Sequence, residues 1–88
     1  MHAIIYTKEH CPYCTRAKAL LDKNGITYDE KTIGVTNTDR YKLKPNQTFS
    51  NRDELLAAYP EAKTVPQIWL DGTHIGGHDD LVKHLGSK

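Results

Sequence analysis

The segment Cys-Pro-Tyr-Cys at residues 11–14 constrains the fold most, because it holds the chain's only two cysteines between two different periodicities. Residues 3–7 before it are mostly β-branched or aromatic, as in a buried strand. Apolar side chains at positions 17, 20 and 21 after it recur at helical spacing. The sequence therefore predicts a strand that leads through a two-cysteine turn into a helix.

Pro12 is suited to the first turn of this helix, where a missing backbone N–H costs nothing. Cys11 then caps the helix, beside N–H groups without intrahelical acceptors and at the positive end of the helix dipole. Both effects stabilise a thiolate, so we expect the pKa of Cys11 to lie below that of an ordinary thiol. Because the thiolate attacks disulfides, the placement predicts a nucleophile at Cys11, with Cys14 one turn later to resolve the intermediate.

Two other uses of the cysteine pair are weaker. A structural disulfide gains stability with the length of chain that it encloses, and this pair encloses almost none. A zinc site needs further cysteine or histidine ligands at short spacing, and the sequence contains no second cysteine pair. The histidines are scattered without such spacing: His2, His10, His74, His78 and His84. We therefore interpret the pair as a redox motif and expect no metal.

Length and charge limit the classes of protein. With 88 residues, the chain suffices for one small domain, which we take as residues 1–88. A formal net charge of +1 offers no electrostatic basis for binding nucleic acid or a membrane surface. Met1 leads directly into the first predicted strand without a charged and then apolar leader, so we expect a cytoplasmic protein. In that reducing compartment a cysteine pair is more often catalytic than structural.

The rest of the chain alternates between helix and strand patterns. Predicted helices cover residues 12–24, the stretch between Asn51 and Pro60, and residues 78–85, and predicted strands cover residues 3–7, 26–33, 67–70 and 73–76. A strand–helix–strand unit of this length normally returns its second strand parallel to the first. The Asp71-Gly72 pair predicts a hairpin between the last two strands.

Residues 34–50 contain several turn-forming residues and no sustained period, so we expect one long connection there. Asn51 follows as a helix cap, and Glu54 is expected to return the contact as the reciprocal partner. Within the connection, residues 40–44 interleave basic and apolar side chains. Because the total charge is balanced, a protein-docking loop or a solvated insertion fits this segment better than a nucleic-acid patch.

Three further motifs follow in order along the chain: Thr64-Val65-Pro66, Gly76-Gly77 and His78-Asp79-Asp80. Together with residues 11–14 they resemble the glutaredoxins, specifically the dithiol type, over nearly the whole chain. The resemblance implies an α/β protein with a thioredoxin-like fold, a four-stranded mixed sheet flanked by three helices. It also implies a glutathione-dependent thiol–disulfide oxidoreductase that reduces protein disulfides and glutathione mixed disulfides.

Two sets of site residues are implied by this resemblance. The catalytic residues are Cys11 and Cys14. The glutathione-binding residues are Lys8, Tyr13, Thr64, Val65, Pro66, Gly77, His78 and Asp79. A cis Pro66 would expose the Val65 backbone to an extended peptide, whereas the sequence alone leaves Pro66 open as a trans residue at a strand start.

The remaining positions have implied roles and plainer alternatives. After Gly77, the first N–H groups of the last helix would bind the γ-glutamyl carboxylate, and Asp79 would accept hydrogen bonds from the α-amino group. Lys8 would meet the glycine carboxylate, and Tyr13 would lie against the tripeptide. Without the resemblance, Gly77 is a turn residue, Asp79 is a charge favoured at a helix start, and Lys8 and Tyr13 are exposed surface side chains.

His78 departs from the cysteine or small polar residue that the family often has at this position. Its backbone N–H can keep the implied role. Its side chain adds an imidazole, the group whose charge most commonly changes near neutral pH in proteins. We therefore expect glutathione affinity to depend on pH between about 5 and 7. A His78→Ser variant with an unchanged pH profile would reject this hypothesis.

The resemblance names glutathione as reductant and co-substrate. The expected partners are glutathione and disulfide-bearing or glutathionylated proteins, with ribonucleotide reductase added by family analogy alone. We expect a monomer. Two rival functions stay open: a thioredoxin-like reductase served by a flavoprotein, and a carrier of an iron–sulfur cluster held by Cys11 and glutathione.

Overall fold

The computed structural model describes residues 1–35 and 38–86, and the elements within those ranges follow the expected order. The strands are β1 (His2–Lys8), β2 (Thr27–Ile33), β3 (Gln47–Phe49), β4 (Gln67–Leu70) and β5 (Thr73–Gly76). The helices are α1 (Pro12–Lys23), α2 (Arg52–Ala58) and α3 (His78–His84). The predicted helices and strands are confirmed, with ends close to the expected residues.

The strands form one mixed sheet in the order β3-β2-β1-β4-β5. β1, β2 and β3 run parallel, whereas β4 is antiparallel to β1 and β5 is antiparallel to β4. This arrangement confirms the predicted α/β class with a thioredoxin-like mixed sheet and three helices. The predicted number of strands was wrong, because the sheet has five strands in the described part of the chain instead of four.

The additional strand, β3, lies inside the connection predicted at residues 34–50, of which residues 36–37 fall outside the described ranges. It is only three residues long, and its mainly polar sequence carries no strand period. Pairing with β2 forms it: Thr48 lies opposite Lys31, and the Ser50 N–H donates to the Thr32 carbonyl over 2.7 Å. A single-sequence pattern cannot reveal a strand that is defined by its pairing with β2.

Two hydrophobic clusters cover the two faces of the sheet. Side chains alternate between the faces, so Ile5 of β1 packs beneath α1 and α3, while Tyr6 packs towards α2. The buried members of the first cluster are Ala3, Ile5, Ala17, Leu21, Ile26, Ile68, Leu70 and Leu81. Those of the second are Tyr6, Ile33, Leu55 and Ala62, with Trp69 and Tyr59 packed against them.

The register of the strands gathers three separated motifs at one edge of the sheet. β1 and β2 end together, with Lys8 opposite Ile33. Because β4 is antiparallel to β1, it begins at that same edge, with Gln67 opposite Tyr6. β5 runs back towards this edge and ends there at Gly76. The cysteine turn after β1, the proline loop before β4 and the start of α3 therefore meet.

Candidate active site

Cys11 is the N-cap of α1, as the sequence predicts. Its backbone is extended (φ −114°, ψ 101°), and Pro12 is the first helical residue. The backbone N–H of Cys14 donates to the Cys11 Sγ over 3.2 Å. In the reduced protein, this N–H and the helix dipole would favour negative charge on the Cys11 sulfur.

The structure shows the cysteine pair as a disulfide, with the Cα atoms of Cys11 and Cys14 5.2 Å apart. Cys11 is 8% exposed and Cys14 is 1% exposed, so Cys11 is the more accessible of the two. This order agrees with Cys11 as the attacking sulfur and Cys14 as the resolving sulfur. The assignment of the two roles stays a prediction.

The loop before β4 brings a backbone carbonyl to the active sulfur. The Val65–Pro66 peptide bond is cis, which confirms the isomer expected from the resemblance. The Val65 carbonyl oxygen lies 3.8 Å from the Cys11 Sγ, and Pro66 is buried behind it. The Val65 backbone is therefore the part of this loop that lies beside the Cys11 sulfur.

The start of α3 uses one of its two aspartates internally. The Asp80 Oδ2 accepts a hydrogen bond from the Gly77 N–H (3.0 Å), so this N–H already has a partner. Gly76 has a φ of 122°, and a Cβ there would lie 2.8 Å from the Asp80 Cγ, so glycine is required. The backbone N–H groups of the first three helical residues, His78, Asp79 and Asp80, have no intrahelical acceptor. Sequence reasoning missed Asp80 as a cap, although its place three residues after Gly77 was a usable signal.

Tyr13 and His78 form an aromatic wall that joins the first turns of α1 and α3. Their ring centroids are 5.8 Å apart, and the Tyr13 side chain is exposed (54%). The Arg16 guanidinium lies 5.4 Å from the Tyr13 ring centroid, a contact that sequence reasoning missed. The His78 Nδ1 lies 3.2 Å from the Asp79 Oδ1, so the predicted ligand-binding residues 13, 78 and 79 are neighbours.

Lys8 and Thr64 occupy the same edge of the sheet with exposed side chains. Lys8 ends β1, three residues before Cys11. The Thr64 carbonyl accepts a hydrogen bond from the Gln67 Nε2 over 2.9 Å. The structure thus brings the ends of all the predicted site segments together, and the contacts of the side chains with glutathione stay predictions.

A buried ion pair lies under α1 and was not foreseen. The Glu30 carboxylate is 3% exposed and accepts from the Thr7 hydroxyl (2.6 Å) and the Lys18 ammonium (3.0 Å). Both partners satisfy a charge that would otherwise be costly to bury. The available signal was a charged residue between Tyr28 and Thr32, on the inward-facing positions of β2.

Residues 1–35 and 38–86 contain no group of three or more His, Cys, Asp or Glu side chains placed to hold a metal ion. The described helices are too short and too polar to cross a bilayer.

Comparisons with known proteins agree with this geometry. The family model described as Glutaredoxin matches residues 3–75. The chain is 43% identical over 77 residues to Glutaredoxin 3 of Escherichia coli K12, covering 88% of this chain and 77% of that protein. The chain spans 64% of the length of Glutaredoxin 1 of Rickettsia typhi, to which it is 40% identical over 78 residues.

Solved structures show the same fold. Glutaredoxin 1 from Francisella tularensis, complexed with cacodylate, superposes with a TM-score of 0.69 at 28% identity, covering 98% of this chain and 93% of that one. A buckwheat glutaredoxin–glutathione complex superposes with a TM-score of 0.57 at 27% identity, covering 98% of this chain and 70% of that one. With its cysteine pair at a helix N-terminus beside a cis-proline loop, the chain belongs to the glutaredoxin family of thiol–disulfide oxidoreductases.

Proposed function

We propose that this oxidoreductase uses glutathione to reduce protein disulfides and glutathione mixed disulfides. The observation that carries the proposal is the environment of the Cys11 Sγ, 3.2 Å from a helix N–H donor and 3.8 Å from the Val65 carbonyl. The first contact stabilises a thiolate, and the second provides a backbone edge for an extended thiol-containing peptide. The buckwheat relative forms a complex with glutathione, which supports glutathione as the ligand of this chain.

Reduction of a glutathione mixed disulfide needs only one cysteine of the protein, Cys11. The Cys11 thiolate attacks the glutathione sulfur, forms a Cys11–glutathione disulfide and releases the substrate thiolate, which takes up a proton. The thiolate of a second glutathione then attacks the bound glutathione sulfur. Glutathione disulfide leaves, and the electron pair of the broken bond returns to Cys11.

With a protein disulfide, both cysteines take part. The Cys11 thiolate attacks one substrate sulfur, and the Cys14 thiolate then attacks Cys11, which releases the reduced protein and forms the Cys11–Cys14 disulfide. This disulfide is the state that the structure shows. Two glutathione molecules return the pair to thiols and leave as glutathione disulfide.

In the proposed complex, charged groups at the two ends of the tripeptide meet opposite charges or N–H donors. The His78 and Asp79 N–H groups bind the γ-glutamyl carboxylate, and the Asp79 carboxylate accepts from the α-amino group. The Val65 backbone pairs with the cysteinyl residue, and Lys8 attracts the glycine carboxylate. Tyr13 covers one side of the ligand.

The source of electrons tests this function most directly. The oxidised protein is mixed with NADPH and either glutathione plus glutathione reductase or thioredoxin reductase alone, and consumption of NADPH is followed with a glutathionylated peptide as substrate. We expect turnover with the glutathione system. Turnover only with thioredoxin reductase would favour a thioredoxin-like function. A coloured protein after anaerobic purification with glutathione would favour the iron–sulfur carrier.

Cysteine variants separate the two half-reactions. Cys14→Ser should keep removal of glutathione from the peptide, since that path needs one thiol, and should weaken reduction of a protein disulfide. Cys11→Ser should lose both activities, because a serine hydroxyl does not replace the thiolate. Either activity in the Cys11→Ser variant would overturn the assigned roles.

Glutathione as the reductant also suggests the cellular location and the protein substrates. We propose a cytoplasmic location, where glutathione keeps thiols reduced, and glutathionylated or disulfide-bearing proteins as substrates. Ribonucleotide reductase is included only by family analogy. Trapping cellular proteins on the Cys14→Ser variant, followed by identification of the mixed disulfides, would name the substrates.

A further inference from the structure

A chain of side-chain hydrogen bonds runs from the proline loop to strand β5. The Gln67 Nε2 donates to the Thr64 carbonyl over 2.9 Å, across the turn that contains the cis Val65–Pro66 bond. The Gln67 Oε1 lies 2.9 Å from the His74 Nε2. Gln67 is 7% exposed, so both ends of its amide find their partners inside the protein.

The chemistry of the three groups determines which of them donates and which accepts in each hydrogen bond. A backbone carbonyl only accepts, so the end of the Gln67 amide at Thr64 must be the NH₂ group. The Gln67 carbonyl therefore points at His74, and the His74 Nε2 must carry a hydrogen that it donates. The imidazole thus holds the amide in the one orientation that binds the Thr64 carbonyl.

Aromatic rings hold His74 in place. Its ring is stacked on Tyr59 with centroids 4.0 Å apart and an interplanar angle of 27°. Trp69 packs against the same imidazole in an edge-on arrangement, with ring centroids 4.9 Å apart. Tyr59 is the C-cap of α2 and Trp69 belongs to β4, so the anchor rests on two regular elements.

We infer that Gln67 and His74 are positioning residues for substrate binding: together they hold the Thr64–Val65 backbone against the Cys11 sulfur. This inference rests on the proposed function, since it assigns a role to the Val65 backbone in binding glutathione. The amide and the imidazole do not touch the reacting sulfur. They act through Thr64, whose neighbour Val65 places its carbonyl 3.8 Å from the Cys11 Sγ.

The test compares two substitutions that remove different hydrogen bonds between Thr64, Gln67 and His74. Gln67→Leu removes both hydrogen bonds, and His74→Phe keeps an aromatic ring against Tyr59 while it removes the donor. We expect each to raise the KM for a glutathionylated peptide about tenfold, with kcat within about twofold of the wild type. Because both changes release the same backbone, the double variant should be no worse than the more affected single variant.

A matched control distinguishes positioning from a general loss of stability. Gln47 is also a buried glutamine, 5% exposed with two side-chain hydrogen bonds, and lies in β3, away from the proline loop. Gln47→Leu should lower the free energy of unfolding and leave the KM unchanged.

Three results would overturn the inference: an unchanged KM in His74→Phe, an equal rise of KM in Gln47→Leu, or additive effects in the double variant. The His74→Phe result decides the matter should Gln67→Leu fail to fold. A wild-type protein without glutathione-coupled turnover would instead refute the proposed function. The wild-type assay thus separates the two failures.

Discussion

Neighbouring aspartates at the start of α3 have different environments. Asp80 is used within the protein, because its carboxylate accepts from the Gly77 N–H. The Asp79 side chain is 89% exposed, 3.2 Å from the His78 Nδ1, and its carboxylate faces solvent. A ligand can therefore reach Asp79 without disturbing the helix cap.

Replacing Asp79 with Asn should weaken glutathione binding. The change keeps the size of the side chain and removes the negative charge that would meet the α-amino group, so we expect the KM for a glutathionylated peptide to rise about three- to tenfold. Steady-state kinetics at neutral pH measure the effect. Asp71→Asn, at an exposed aspartate in the β4–β5 turn, is the control, and an equal rise in that variant would contradict the assignment.

Glu54 and Lys31 form an ion pair on the other face of the sheet, with Nζ and Oε1 2.9 Å apart. The hydrogen bond from Lys31 lowers the pKa of Glu54 below its ordinary value of 4.5. The same bond raises the pKa of Lys31 above its ordinary value of 10.5. The pair therefore stabilises the fold fully between these two ordinary values, and its contribution is lost as pH falls through the lowered pKa of Glu54.

The expected effect of Glu54→Gln is a loss of less than about 1 kcal/mol of unfolding free energy at pH 7, because both side chains are partly exposed. As the pH falls below 4.5 and through the lowered pKa of Glu54, the wild-type carboxylate becomes protonated, and the difference from the variant should shrink. Urea denaturation at pH 7 and at a series of acidic pH values measures it. Lys31→Met should show the same convergence with the wild type, and a gap that persists in acid would show that something other than the ion pair is responsible.

The helix α2 depends on its cap and on one buried contact. It is seven residues long, too short to be stable alone. The Asn51 Oδ1 accepts from the Glu54 N–H over 2.7 Å, which confirms the predicted cap. The predicted reciprocal bond was wrong, because the Glu54 carboxylate accepts from Lys31 and from the Tyr6 hydroxyl (3.4 Å) instead. A neighbouring cation competes successfully with the helix end for that carboxylate.

Asn51→Ala should therefore lower the free energy of unfolding by about 1 kcal/mol, since the Glu54 N–H loses its acceptor. Asn51→Ser, which keeps an oxygen acceptor, is expected to restore most of the loss. Equilibrium urea denaturation monitored by far-ultraviolet circular dichroism is the measurement. Equal stability of the alanine variant and the wild type would mean that packing of Leu55 alone holds α2.

At the scale of the whole molecule, the described residues form two hydrophobic clusters, one on each face of a single sheet. β1 supplies Ile5 to the first cluster and Tyr6 to the second, so neither face can unfold while the other keeps its strands. Leu21 and Leu55 are buried in the first and the second cluster, with 0% and 1% exposure. Shared strands predict a single cooperative transition.

Leu21→Ala and Leu55→Ala should each lower the free energy of unfolding by about 2 to 5 kcal/mol. Trp69, the chain's only tryptophan, reports on the second cluster by fluorescence, and far-ultraviolet circular dichroism reports largely on α1. Both probes should give one coincident transition in each variant. Two separate transitions in the Leu21→Ala variant would contradict a shared core.

Local patterns allowed much of the fold to be predicted. The helix after Cys11, the cap at Asn51 and the hairpin at Asp71-Gly72 depend on residues a few positions apart, and all three are found. The strand β3 and the Glu30–Lys18 pair were not predicted, because each depends on contacts between separate elements. The same limit applies to Gln67 and His74, whose bond joins two strands and closes on a loop.

The sequence by itself determined which segments carry the chemistry, because a cysteine at a helix cap and the order of the motifs are local and readable. Only the tertiary structure decided which of these groups meet. The strand register brings Cys11, the cis-proline loop and the start of α3 to one edge. Distances between segments far apart in the chain are set by how strands pair and cores pack, and no local periodicity encodes them.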